Sequence, residues 1–131
     1  MARKYLNEIG IDDNFMDFDP DDKRWGLWNK EIEECGFASY ETWGLDIHFY
    51  IWLYERLKMF LEVNGSDPCL NNKHEYKGSN YTRMELICQM LHGCELALLE
   101  EFKLKCLTED EWKSIEEVRW IWATIMPYMW W

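Results

Sequence analysis

The run from Ser39 to Gly65, SYETWGLDIHFYIWLYERLKMFLEVNG, constrains the fold more than any other stretch of the chain. Leu45, Phe49, Trp52, Met59, Phe60 and Val63 recur mostly three or four residues apart, the repeat of a helical face. From Ile47 to Tyr54 only His48 is polar. A helix that is apolar all round is normally wrapped by others. The pattern therefore predicts a central helix near 43–63 with Trp52 deep in the core. Ser39 or Thr42 is placed to cap it, Glu41 and Asp46 suit the positive end of its dipole, and Asn64-Gly65 offers a left-handed stop.

Two later helices announce their own starts. Thr82-Arg83-Met84-Glu85 and Thr108-Glu109-Asp110-Glu111 both read as capping boxes. Behind the first, Met84, Ile87, Cys88, Leu91, Leu98 and Phe102 line one face, and the helix should run to about 105. Gly93 interrupts it and marks a close helix crossing. Behind the second, Trp112, Ile115, Val118, Trp122, Ile125 and Met129 form the apolar stripe, and Pro127 should end the helix near Met126. A shorter helix is expected over 23–35, with Asp22 as cap, Trp25, Trp28, Ile32 and Cys35 on one face and Gly36 as stop. Residues 65–81 are rich in turn formers and could fold as a tiny hairpin around Lys77-Gly78. Residues 1–22 read as an extended acidic arm that packs through its large apolar side chains. The sum is one all-α domain over 1–131, a bundle of about four helices, with an arm over 1–22 and a helical core over 23–131.

With 25 acidic against 14 basic residues, the chain carries a net charge of −11. Direct contact with nucleic acid or an anionic membrane is disfavoured, and a basic partner is favoured. No apolar run reaches the ~20 residues of a membrane span. The start MARKYLNEIG lacks a signal-peptide core. Five cysteines without a CxxC pair then suggest reduced thiols in the cytoplasm of a host cell.

No catalytic signature stands out. Glu85, Cys88, His92 and Glu95 could share a helical face and hold zinc or iron, but no second helix supplies a matching pair, so no metal or cofactor is expected. His48 fits a core histidine better than a base. The acidic runs fit solvated faces better than paired catalytic carboxylates, which need a cleft. The chain is expected not to be an enzyme.

The segment Gly36-Phe37-Ala38-Ser39-Tyr40-Glu41-Thr42-Trp43-Gly44-Leu45-Asp46, then Arg56-Leu57-Lys58-Met59-Phe60, then Glu111-Trp112, resembles a pattern in small uncharacterised phage-encoded proteins. Their segments read G-F-x-x-x-(D/E)-T-W-x-L-D, then R-L-x-x-F, then an acidic E-W helix start. This chain departs from them at Glu55, where they often carry proline. The resemblance covers about a third of the chain; it implies a phage or prophage origin and no biochemical activity.

Two classes of function are compatible with these features. The first is a non-enzymatic anti-defence inhibitor that occupies the basic surface of a host nucleic-acid-handling protein, with a CRISPR nuclease as one such target. The anti-CRISPR proteins are its functional analogy. Asp12, Asp13, Asp17, Asp21 and Asp22, and Glu109, Asp110, Glu116 and Glu117, would then provide the carboxylates, with Trp130 and Trp131 as apolar anchors or a self-association seam. The second is a protein that sequesters a small molecule such as a nucleotide. A phage structural or assembly protein is a third reading.

Overall fold

The structure, a computed structural model, describes residues 3–12 and 18–129. Its most enclosed element is not the helix that the sequence singles out. Helices α1 (Lys4–Glu8), α2 (Trp25–Cys35) and α3 (Leu45–Asn64) are followed by a hairpin, β1 (Lys73–Tyr76) and β2 (Ser79–Thr82), and then by α4 (Arg83–Lys103) and α5 (Glu109–Ile125). Helix α4 packs between α3 and α5. It buries Ile87, Met90, Cys94 and Leu98 along one stripe and Leu86, Gly93 and Ala97 along a neighbouring one. Two buried stripes are what a helix with neighbours on two sides requires.

Its start keeps only half of the predicted capping box: the Thr82 hydroxyl caps, and the Glu85 carboxylate does not return a bond to the Thr82 backbone. Thr82 is the last strand residue, and its hydroxyl accepts from the Glu85 N–H at 3.1 Å. Gly93 is the crossing point with α5. A methyl group there would overlap the Val118 side chain and stand 2.5 Å from the backbone oxygen of Ser114. The predicted close crossing is thus present. Cys88, read from sequence as part of the apolar face, is exposed, and Cys94 is the buried thiol.

Helix α3 buries only Tyr50, Ile51, Leu53, Tyr54 and Leu57. Leu45, Met59 and Val63 are exposed, and Trp52 is 43% exposed rather than deeply buried. The reason is a shortage of neighbours: α3 packs on α4 and α1, and its apolar surplus stays outside. Its ends also differ from expectation. Thr42 belongs to a 3-10 turn, Ser39–Thr42, where its hydroxyl donates to the Ser39 carbonyl at 2.6 Å. Gly44, at φ 56°, takes the N-cap position. Gly65 is right-handed at φ −62°, so the left-handed stop is not used.

Helix α5 begins with the full predicted box: Glu111 N–H donates to Thr108 Oγ1 at 3.2 Å, and Thr108 N–H to Glu111 Oε1 at 3.0 Å. It buries Ile115, Val118, Ile121 and Ile125. Trp112 is exposed and Trp122 half-buried, so the inner stripe is aliphatic where the sequence suggested tryptophan. Pro127 lies in a 3-10 turn, Met126–Tyr128, directly after the helix.

The hairpin forms around Lys77-Gly78, pairing Lys73 with Thr82 through Tyr76 with Ser79. Both turn residues have positive φ, 50° and 81°, as a tight two-residue hairpin turn demands. Next to it Arg83 is buried, donating to His74 Nε2 and to the Tyr128 carbonyl, each at 3.1 Å. This guanidinium ties hairpin, α4 and C-terminal turn together, a role not evident in the sequence.

Residues Lys4–Glu8, expected as part of an extended arm, are helical, and Tyr5, Leu6 and Ile11 enter the main core. Charge pairs fasten this turn to α3: Arg3 with Glu55, Lys4 with Glu62 at 2.7 Å, and Lys58 with Glu8 at 3.7 Å. The Tyr5 hydroxyl adds a bond to Glu62 at 2.7 Å.

A second, aromatic cluster stands apart from that core. Trp28 of α2 is 1% exposed, yet the rings around it are Phe18, Trp25, Tyr40 and Trp43, with centroids 4.8 to 6.4 Å away. The Arg24 guanidinium lies 4.7 Å from the Trp28 ring and 5.6 Å from that of Trp43. Glu31 of α2 accepts from Ser39 N–H at 2.6 Å, and Gly36, at φ 86°, closes the helix as predicted.

Candidate functional site

The carboxylates singled out by sequence fall into two sets on different elements. On α5, Glu109, Asp110 and Glu116 are exposed. Glu109 and Glu116, like Asp110 and Glu117, are two turns apart, about 10 Å along the axis. Trp112, Glu116 and Trp120 follow at four-residue steps, so the exposed carboxylate lies between two tryptophans on one outward stripe. Those tryptophans are 49% and 55% exposed. Lys113 lies 4.0 Å from Glu109. Glu117 differs from its neighbours: it is half-buried and forms an ion pair with Lys77 at the hairpin turn.

At the entry to α2, Asp21 is exposed, while Asp22, expected as the helix cap, does not cap it: Arg24 holds the N-cap position and the Asp22 carboxylate is committed to Arg24. Its Oδ1 accepts from Arg24 N–H at 2.9 Å and from Arg24 Nε at 3.0 Å, and its Oδ2 from Nη2 at 2.8 Å. These bonds, the side-chain ones foremost, pull its pKa down to about 2. Asp22 thus holds Arg24 over the aromatic cluster. Asp12 is exposed directly after buried Ile11. Asp13, Asp17, Trp130 and Trp131 lie outside the described residues.

Glu85, Cys88, His92 and Glu95 do share an outward side of α4, but among the described residues no three His, Cys, Asp or Glu side chains converge as a metal site. Cys94 is the one thiol strongly perturbed, pushed up to about 12 by burial, which makes it inert rather than nucleophilic. No helix among the described residues is long and apolar enough to cross a membrane.

Sequence reasoning missed a cleft of about 480 Å³ where the aromatic cluster meets α3. Arg3, Glu41, His48 and Arg56 line it together with Phe37, Tyr40, Thr42, Leu45, Ile51 and Trp52. The spacing of Trp52 and Arg56, one turn apart, was the available signal: the guanidinium lies 5.1 Å from the Trp52 ring. Comparison with protein-family models, curated proteins and solved structures returns no match for this chain.

Proposed function

We propose that this protein is a non-enzymatic inhibitor that binds a basic, nucleic-acid-handling host protein and blocks its nucleic-acid site. The observation that carries this reading is the outward stripe of α5. It sets Glu116 between the half-exposed rings of Trp112 and Trp120, with Glu109 and Asp110 one to two turns away. Carboxylates on a rigid helix can take the place of phosphates in a basic groove, and flanking tryptophans supply the desolvated anchors that hold a complex. The net charge of −11 would speed encounter with such a partner. A CRISPR nuclease is one target class with the required basic groove.

The reading is tested by capturing partners from host lysate with wild type and with Glu109→Lys/Asp110→Lys/Glu116→Lys. Glu117 is left intact because of its ion pair with Lys77. The expected partner binds nucleic acid, loses this protein when nucleic acid is added, and is not retained by the triple variant. A partner that holds nucleic acid and this protein together with unchanged affinities, and ignores the variant, overturns the mimicry. A structural or assembly role would then account for the chain better.

A further inference from the structure

We infer that the cleft between the aromatic cluster and α3 is a binding site for a small planar aromatic anion, an aryl carboxylate or a single nucleotide in size. This site is separate from the α5 stripe and does not depend on its role.

Size and chemistry agree. About 480 Å³ lies within the range of small-ligand sites, which combine mostly apolar walls with a few placed polar groups. Here the walls are Phe37, Tyr40, Leu45, Ile51 and Trp52. Phe37 and Trp52 are 50% and 43% exposed, so part of each ring remains open to a ligand beside the Arg56 guanidinium. In a chain of net charge −11 the cleft brings two guanidiniums, Arg3 and Arg56, to one lining, with Arg3 paired to Glu55. Its charged lining is Arg3, Arg56 and Glu41, with His48 beside them.

The two acidic groups near these cations are already engaged. Glu41 accepts from the Ala38 N–H at 2.7 Å, and Glu55 from Arg3 Nε at 3.2 Å. Arg56 differs: among the described residues no carboxylate lies within ion-pair distance of it; its Nη1 donates to the Trp52 carbonyl at 3.4 Å, and the guanidinium lies over the Trp52 ring at 5.1 Å. A planar guanidinium beside an exposed indole matches a ligand with a flat ring and an attached anion. The ring stacks on Trp52, and the carboxylate or phosphate takes a forked pair of bonds from Arg56.

The test uses the full chain and follows the Trp52 indole and His48 ring resonances by NMR. Probes are adenosine 5′-monophosphate and indole-3-acetate, with adenosine, inorganic phosphate and acetate as half-ligands. The expected result is a saturable shift at both residues with one of the two aromatic anions, at least tenfold tighter than with any half-ligand. Which anion wins identifies the source. Arg56→Gln, on the exposed side of α3, should weaken the winner at least tenfold, and Arg56→Lys less, with helix content unchanged by circular dichroism. No saturable shift at Trp52 with either anion, equal binding of neutral adenosine, or indifference to Arg56→Gln overturns the proposal.

Discussion

The two hydrophobic clusters of this molecule are built on different principles. The main core is aliphatic and helical: Leu86, Ile87, Met90, Leu98, Val118, Ile121 and Ile125 are all fully buried where α4 meets its neighbours. The N-terminal cluster is aromatic, gathered around one enclosed side chain, Trp28, with Trp25 half-buried and Trp43 half-exposed beside it. The first is closed by the approach of long helices, which leaves no room at Gly93. The second is closed by ring edges, the Arg24–Asp22 fork and side-chain bonds to the backbone such as Trp25 Nε1 donating to the Asp19 carbonyl at 2.7 Å. Buried area per helix is therefore high in one and low in the other, and regions with few buried contacts open locally at low free energy. The expected behaviour is a cooperative three-helix core carrying a separately opening aromatic module.

The largest effect should come from forcing the core crossing apart. Gly93→Val places methyl groups into Val118 and the Ser114 backbone, which cannot swing away as a side chain end could. A loss of about 3 kcal/mol or more of global stability is expected from such overpacking. Urea denaturation followed by far-UV circular dichroism checks it. A loss near zero would mean that α4 and α5 do not meet closely, and the contrast between the clusters would collapse.

Trp28→Ala addresses the other side. Large-to-small changes at a fully buried tryptophan cost about 3–5 kcal/mol locally. If the module opens independently, the global unfolding free energy from the urea transition should fall by under about 1 kcal/mol while the near-UV aromatic signal is lost. Thiol labelling sharpens this: exposed Cys35, at the end of α2, should react quickly in both proteins, and Cys94 only on global unfolding. Faster Cys94 labelling in Trp28→Ala would show that the two clusters are one cooperative unit.

This division also sets how much was legible in sequence. Thr108-Glu111, Gly93 and Lys77-Gly78 were readable because each acts through neighbours a few residues away or through a missing side chain. Which of two apolar helices would be central was not readable. Helix α3 has the more continuous apolar run, but enclosure depends on how many partners the tertiary arrangement brings, and α4 has more. Arg83 was hidden for a related reason: it acts through groups on other segments, the His74 ring and the Tyr128 carbonyl. Glu117 shows the same limit for surface charge, since nothing in its acidic neighbourhood says that Lys77 on the hairpin already holds it, whereas Asp22 has its partner Arg24 two residues on.

A smaller effect is expected from pH at the edge of the main core. His74 accepts from Arg83, and desolvation first, then the nearby guanidinium, lowers its pKa below the ordinary 6.5. The unfolded chain therefore binds the proton more readily. Stability from this contact is full above about pH 6.5 and declines as pH falls through that value towards the lowered one. His74→Gln, which can still accept from Arg83, should flatten the thermal midpoint between pH 7 and 5. An unchanged slope would exclude His74 as its cause.

The smallest effect separates apolar sequence from actual burial. Trp52 sits amid the most continuous apolar run of the chain, and on sequence alone its removal should be as costly as that of Trp28. In the structure it is 43% exposed, meeting the Trp122 ring edge-on at 6.2 Å and the Arg56 side chain. Only part of its surface leaves water on folding, and a leucine would still cover the Ile51 side of α3. Trp52→Leu should therefore cost under about 1 kcal/mol, well below the 3–5 kcal/mol of a buried tryptophan. The indole offers a second readout, because a half-exposed tryptophan is quenched by iodide and an enclosed one is not. The fluorescence lost in Trp52→Leu should be quenchable, whereas that lost in Trp28→Ala should be protected until the module opens. A cost of several kcal/mol, with protected Trp52 emission, would mean that α3 is covered on its outer side after all. The cleft beside it would then be closed, and the aromatic-anion site could not exist.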